Sequence, residues 1–250
     1  TDTWFFIYIL YSRMVKVWQL GLMSYDTASK IQRSIVRKQL DCISDGRDSD
    51  WDTLLLLEHR PVYTVGIRDD TSKEEVQRLS ALGAAFRKTN RGGLITFHGP
   101  GQLVAYPILN LKHFTPSVKW YVNSLEETVI NMCKELGLKA NRSPYTGVWI
   151  DDNKVAAIGV HASRYVTSHG IAINCGNDLS WFDHIDPCGI HDKGVTSLSK
   201  ETGLNCTVEK ITPIFIRNFN KVFDCKSEDL NSKEQEEILN GIYNNLLMTQ

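Results

Sequence analysis

The sequence has no excess of charge of either sign, and this limits what the protein can bind through charge alone. Its 28 Lys and Arg residues and 29 Asp and Glu residues leave a formal net charge of −1 at pH 7. Broad binding to nucleic acid or to an anionic membrane is therefore not expected, although a local basic patch is still open. No apolar run approaches the roughly 18 residues that a membrane-spanning helix needs.

Disulfide and metal-binding cysteine patterns are also missing. The six cysteines form no Cys-x-x-Cys pair and no compact framework, so free thiols in a reducing compartment are expected. Two cysteines and two histidines could be drawn as a zinc site: Cys175, His184, Cys188 and His191. Their spacing matches no common zinc finger, and we predict no metal. A Gly-x-x-x-x-Gly-Lys-Ser/Thr loop for ATP is absent as well.

Helical and strand patterns alternate along the chain. Apolar periodicity and capping residues predict helices over 25–40, from 72 to about 83, over 117–136 and over 208–223. Short apolar runs predict strands at 54–57, 62–65, 148–150, 155–160 and 171–174. At 250 residues, with 42% hydrophobic, the chain can bury a substantial core. This order indicates an α/β fold with a mixed β-sheet flanked by helices.

Residues 91–102 form the most informative stretch, Arg-Gly-Gly-Leu-Ile-Thr-Phe-His-Gly-Pro-Gly-Gln, with four of the 17 glycines. Such density indicates backbone bends that a side chain would block, or a ligand lying against the main chain. The flanking apolar residues predict a strand, a tight glycine turn and a second strand. An ordinary hairpin would explain the glycines, but it would need neither Arg91 nor His98.

Together with Tyr106-Pro107-Ile108, this stretch resembles the octanoyltransferase family of lipoate biosynthesis, the lipoyl(octanoyl) transferases. Further matching strings occur in the expected order, at 58–66, 146–149, 154–160, 169–174 and 187–190. The resemblance covers residues 17–224. It implies the catalytic-domain fold that biotin and lipoyl protein ligases share.

The resemblance assigns the chemistry to Cys188 and Lys154. A thiol near its ordinary pKa of about 8.5 needs a neighbouring cation or base to become a nucleophile. Lys154 would supply it, and Cys188 would carry an octanoyl group as a thioester before passing it to an acceptor lysine. From the residues alone, a single cysteine is more often a buried filler. A lone lysine beside a hairpin turn is more often a solvated strand end.

The resemblance also assigns the acyl-binding residues. They are Arg91, Gly92, Gly93, Leu94, Ile95, Thr96, Phe97, His98, Ala157, Ile158, Gly159, Gly170, Ile171 and Ala172. Backbone N–H groups around the glycines at 92, 93, 170 and 189 could approach the acyl carbonyl. Close packing of strands would explain the small residues equally well. His59 could line the entrance.

Cofactors and partners follow from the same resemblance. Transfer from thioester to thioester is nearly balanced in energy and transfer to an amide is downhill, so neither ATP nor another cofactor is expected. The acyl donor would be octanoyl-acyl carrier protein. The acceptors would be lipoyl domains of 2-oxoacid dehydrogenases and the glycine cleavage H protein. A monomer that binds neither nucleic acid nor membrane is expected.

The chain is expected to consist of one catalytic domain with a short segment at each end. Residues 17–225 should form the catalytic domain and 226–250 a polar tail with an amphipathic helix; 1–16 would be a targeting remnant or an artefact. A mitochondrial protein is expected, or a cytosolic one if the source is bacterial.

Two other functions stay open: an ATP-dependent lipoate or biotin ligase, which would need no nucleophilic cysteine, and a non-catalytic protein that binds carrier domains.

Overall fold

The computed structural model describes residues 13–68, 70–186 and 193–247. In chain order its strands are β1 Arg13–Met23, β2 Thr53–His59, β3 Val62–Val65, β4 Ala85–Lys88, β5 Thr96–His98, β6 Gln102–Ile108, β7 Val148–Ile150, β8 Asn153–Ser163, β9 Val166–Asn174, β10 Gly194–Val195 and β11 Cys225–Asp229. The helices are α1 Tyr25–Ser44, α2 Lys73–Ala81, α3 Val118–Glu135, α4 Leu198–Thr202, α5 Val208–Phe223 and α6 Ser232–Leu247. Short 3₁₀ turns occupy Leu111–His113 and Leu179–His184.

Within the described residues, eight strands form one mixed sheet in the order β10-β8-β9-β6-β2-β1-β11, with β7 paired to β8. Strand β1 runs parallel to both β2 and β11, and β10 runs parallel to β8. Strand β6 is antiparallel to β2 and β9, and β9 is antiparallel to β8. The expected α/β fold with a mixed sheet is therefore confirmed.

Side-chain alternation along β2 divides the core between the two faces of this sheet. Leu54 and Leu56 join a cluster with side chains of α3 and α5. Leu55 and Leu57 point the opposite way, into a cluster with α1 and α6. Because successive side chains on a strand alternate between faces, a strand buried on both faces is continuously apolar. Helices thus cover both faces of the sheet.

Local signals in the sequence placed most of the helices. Ser24 caps α1 and Ser117 caps α3, each side chain accepting an N–H of the first turn. Gly137, with a φ of +78°, follows the end of α3. The apolar periodicity of residues 117–136 places Val118 on the same helix face as Tyr121 and Leu125, but Val118 is 43% exposed because it is the first residue of α3. None of the helices in the described ranges is long and apolar enough to cross a bilayer.

The glycine turn after β5 joins two different sheets. Strand β5 pairs with β3, in a small sheet of order β4-β3-β5, whereas β6 pairs with β2 and β9 in the main sheet. A Cβ on Gly101, whose φ is +81°, would lie 2.8 Å from the backbone nitrogen of Asn177. The predicted strand, turn and strand are confirmed. The ordinary-hairpin alternative is wrong because the two strands do not pair.

The sheet extends past both limits drawn from the sequence. Strand β1 begins at Arg13 and pairs with β11, which begins at Cys225. Lys16 Nζ contacts Glu234 Oε1 at 2.6 Å, so β1 and the first turn of α6 meet. Ile238 of the expected amphipathic helix is fully buried against α1. Residues 13–16 and much of 226–247 therefore pack with the domain, while the apolar segment 4–11 lies outside the described residues.

Candidate active site

A narrow cavity of about 40 Å³ lies between the glycine-rich segment and strands β6, β8 and β9. Its lining includes most of the predicted acyl-binding residues, namely Arg91, Gly93, Leu94, Thr96, His98, Ala157, Ile158, Gly159, Gly170, Ile171 and Ala172. Three predicted residues are placed elsewhere. Phe97 stacks on Trp181 at 4.8 Å between ring centres, Ile95 packs against the same cluster, and Gly92 donates its N–H to the Val160 carbonyl at 3.0 Å. That bond occupies the N–H that could have faced an acyl carbonyl.

Small residues on β8 and β9 face each other across the cavity floor. Ala157 pairs with Ala172 and Gly159 pairs with Gly170. A Cβ on Gly159 would lie 2.7 Å from Arg91 Cδ, and one on Gly170 would lie 2.2 Å from the Ala105 carbonyl oxygen. Close packing thus requires the two glycines. Ala157 and Ala172 line the cavity, and their contact with an acyl chain stays a prediction.

Replacing Gly170 with alanine is expected to lower the free energy of unfolding by about 1–3 kcal/mol, because strand backbone must move to admit the methyl group. Urea unfolding followed by circular dichroism measures this. Gly92→Ala is the matched control, since the nearest atom to its new Cβ is the Val160 carbonyl oxygen at 3.7 Å. Equal losses of stability in the two variants would contradict the prediction.

Arg91 fixes the curve of the glycine-rich segment from inside. Its side chain is buried, and Nη2 donates to the Thr64 carbonyl at 2.8 Å and to Thr64 Oγ1 at 2.9 Å. Nη1 donates to the carbonyls of Gly92 and Leu94 at 2.9 and 3.1 Å. A planar guanidinium can serve several acceptors at once, so one side chain holds β3 and both sides of the loop together.

His98 lies in a buried hydrogen-bond chain that sets its tautomer. Gln102 Nε2 donates to Asn174 Oδ1 at 2.9 Å, so Gln102 Oε1 accepts from His98 Nδ1 at 2.8 Å. His98 Nε2 is then the acceptor for the Thr64 hydroxyl at 3.4 Å. Burial, reinforced by the neighbouring His59, lowers the pKa of His98 to about 3. With both nitrogens engaged and the ring neutral, His98 is poorly suited to activate a thiol.

His59 lies behind the cavity. It is fully buried, and its Nε2 is 2.8 Å from the Tyr106 hydroxyl. Burial lowers the pKa of His59 to about 4. This placement corrects the expectation that His59 lines the entrance: its ring is buried in the interior, and its hydrogen-bond partner Tyr106 lines the cavity instead.

Sequence reasoning missed five residues that line the cavity: Tyr25, Thr64, Val104, Tyr106 and His169. All but Tyr25 lie in or beside the matched strings, so position in those strings was the available signal. His169 has a φ of +58°, rare for a residue with a side chain. Its Nε2 is 2.7 Å from Asn90 Oδ1, and burial lowers its pKa to about 3. Nothing in the sequence marked Tyr25, the first residue of α1.

Lys154 is buried at the start of β8. Its side chain is enclosed rather than solvated: Nζ lies 4.8 Å from the centre of the Trp149 ring, and a Cβ on Gly147 would lie 3.4 Å from Cδ and Cε. The Lys154 carbonyl accepts the Thr196 N–H at 3.0 Å where β10 joins β8. Lys154 does not line the cavity, but it stands three residues before Ala157 on the same strand.

Cys188 and Gly189 lie outside the described residues. The described chain stops at Asp186 and resumes at Lys193, and Gly194 then pairs with Asn153, next to Lys154. The thiols of Cys133, Cys175 and Cys225 are buried, and burial raises the pKa of each to about 12. In the described part of the chain, no three side chains gather as metal ligands.

The comparisons with known proteins agree with the fold and with the strings around the cavity. A model of the lipoyl protein ligase A/B catalytic domain matches residues 27–220. The octanoyl-acyl-carrier-protein:protein N-octanoyltransferase of Danio rerio, named as mitochondrial, is 55% identical over 212 residues, covering 84% of this chain and 93% of that protein. The octanoyltransferase of a Thermoanaerobacter species is 42% identical over 214 residues, covering 84% of this chain and 91% of that protein.

Solved structures show the same architecture at lower identity. Lipoate-protein ligase A bound with ATP has a TM-score of 0.67 at 12% identity, covering 93% of this chain and 94% of that chain. A lipoate protein ligase from T. acidophilum with bound lipoic acid also has a TM-score of 0.67, at 14% identity, covering 94% and 95%. The fold is that of lipoate-protein ligases. By the family match and the identity to its relatives, the chain belongs to the lipoyl protein ligase A/B catalytic-domain family, and within it to the octanoyltransferases.

Proposed function

We propose that this protein transfers an octanoyl group from octanoyl-acyl carrier protein, through a thioester on Cys188, to a lysine of lipoyl domains, the first step of protein lipoylation. The observation that carries the proposal is the narrow cavity beside Ala157 and Ala172, with buried Lys154 at the start of the same strand. The names of the Danio and Thermoanaerobacter relatives support it.

The first half-reaction forms the acyl-enzyme. Lys154 favours the thiolate of Cys188 by charge or takes its proton. The thiolate attacks the carbonyl carbon of the donor thioester, and a carbon–sulfur bond to Cys188 forms as the bond to the carrier's sulfur breaks. The carrier's thiolate leaves with a proton from Lys154, which becomes neutral. The alkyl chain lies in the cavity, where each buried methylene contributes about 0.8 kcal/mol to binding.

The second half-reaction releases Cys188. The amine of the acceptor lysine attacks the thioester carbon, the carbon–nitrogen bond forms and the Cys188 thiolate leaves. The amine must lose a proton, and Lys154 in its neutral form accepts it. An amide is more stable than a thioester, so neither half-reaction needs ATP or another cofactor.

The partners and the compartment follow from this chemistry and from the relatives' names. The donor is octanoyl-acyl carrier protein. The acceptors are lipoyl domains of 2-oxoacid dehydrogenases and the glycine cleavage H protein, and the enzyme works as a monomer without nucleic acid or membrane. Relatives from Danio rerio and Homo sapiens are named mitochondrial, and we assign this protein to mitochondria. No observation favours an ATP-dependent ligase, whose solved structures share only the fold.

The test is intact-mass measurement of the protein after mixing with octanoyl-acyl carrier protein. One octanoyl group per chain is expected without ATP, and it should disappear when a lipoyl domain is added, with the same mass gained by that domain. ATP together with free octanoate serves as the control and should give no adduct. Acylation that required ATP and free octanoate would support the ligase alternative instead.

A further inference from the structure

A second and much larger space lies next to the narrow cavity. This basic groove has a volume of about 1430 Å³ and lies between α1, β4 and the turn that joins β8 to β9. Its walls carry six basic side chains, Lys30, Arg33, Arg37, Arg87, Lys88 and Arg164. Because the groove is open and its walls carry charged side chains, we expect water to enter it.

Two side chains border both the cavity and the basic groove, those of Tyr25 and His169. Tyr25 is the first residue of α1, where the Ser24 cap fixes the helix start, and its ring centre lies 5.4 Å from that of His59. His169 is held on β9 by bonds to Gln32 and Asn90. These two side chains, which border both spaces, are called the wall below.

Strand β8 gives the order of the features along the cavity. Lys154 lies at its start, Ala157 and Gly159 line the cavity, and His161 and Ser163 line the basic groove. At about 3.3 Å per residue, Lys154 and Gly159 are roughly 16 Å apart along the strand. The wall therefore stands at the end of the cavity that is far from Lys154. An acyl chain whose thioester reacts near Lys154 points its methyl end at Tyr25.

We propose that Tyr25 sets the upper limit of acyl-chain length. This inference rests on the proposed octanoyl transfer and deepens it. A chain longer than the cavity would meet the phenol ring, which α1 holds in place. Without the ring, a gap opens beside His169 and joins the cavity to the basic groove, so the extra methylenes can pass into water. Longer chains are then tolerated but not preferred, because methylenes that stay in water add no favourable binding free energy.

Transfer kinetics with octanoyl-, decanoyl- and dodecanoyl-acyl carrier protein test the proposal. In the wild type, kcat/KM should fall steeply from octanoyl to dodecanoyl. In Tyr25→Ala the ratio of dodecanoyl to octanoyl should rise at least tenfold, toward equality, and Tyr25→Leu should lie between the two. Tyr25→Phe keeps the ring and should keep the wild-type ratio. Tyr165→Ala makes the same change at a tyrosine that is 44% exposed, and serves as the matched control.

Several outcomes would overturn the proposal. If the wild-type protein used dodecanoyl-acyl carrier protein as well as octanoyl-acyl carrier protein, Tyr25 would set no limit on chain length. A parallel change in rate for all chain lengths in Tyr25→Ala would place Tyr25 at the entrance or in a supporting role. If the wild type transferred no octanoyl group, the proposed function would fail. Calorimetric measurement of octanoate and dodecanoate binding would then test whether Tyr25 limits chain length. If Tyr25→Ala left the ratio of the two affinities unchanged, that limit would be ruled out.

Discussion

Cys188→Ala is expected to abolish the octanoylated enzyme, leaving the intact mass unchanged after incubation with octanoyl-acyl carrier protein. Alanine removes the only atom that can hold the thioester at this position. The buried thiols of Cys133, Cys175 and Cys225 cannot replace it, because burial raises the pKa of each to about 12 and leaves almost no thiolate near neutral pH. Octanoyl transfer to the lipoyl domain should be lost together with the adduct.

Cys175→Ala is the matched control for this experiment. Cys175 directly follows β9 and is fully buried, and its sulfur lies 3.6 Å from the Ile173 carbonyl oxygen. The variant should still gain one octanoyl group. An adduct that persisted in Cys188→Ala, or vanished in Cys175→Ala while that protein remained folded, would show that the acyl group is carried elsewhere.

Features of the fold that depend on residues adjacent in the sequence could be predicted from it. The serine caps of α1 and α3, the turn at 151–152 between β7 and β8, and the apolar run of β2 each depend on a few consecutive residues. Strands β1 and β11 were missed because each pairs in parallel with a distant segment. Strand β11 lies at the sheet edge, and its exposed Lys226, Glu228 and Asp229 gave the segment the composition of a polar tail.

The residues of the candidate site also fall into those that the sequence indicated and those that depend on packing between distant segments. The glycine density of 91–102 indicated close backbone approach by itself. The small residues of β8 and β9 were assigned to the site through the family resemblance. Tyr25 could not be predicted, since it reaches the cavity through the packing of α1 on the sheet, which no local pattern encodes. His59 was misplaced for a related reason: a histidine in a matched string indicates a site, but only the direction of β2 decides whether its ring faces ligand or core.

The second large effect is expected at Lys154. Lys154→Ala should slow formation of the acyl-enzyme by about 10²–10⁴-fold, the usual contribution of a positioned acid–base group. Single-turnover mass measurement gives this rate directly. Because Lys154 is buried against Trp149, alanine also leaves a space. Lys154→Met nearly keeps the length of the side chain without its charge, so it should stay folded and be slow to a similar degree.

Lys154→Arg separates charge from proton transfer. Arginine keeps the positive charge of Lys154 but does not release its proton at working pH, and its planar head is wider than an ammonium group. The Lys154 side chain is buried against Trp149, so the wider head must fit into an enclosed space. Acyl-enzyme formation should therefore be partly retained, while transfer to the acceptor amine, which must lose a proton, should be the slower step. The acyl-enzyme would then accumulate in the presence of the lipoyl domain. Near-normal rates of both half-reactions in a folded Lys154→Met protein would refute the cysteine–lysine pair, and Cys188 would need another activating group.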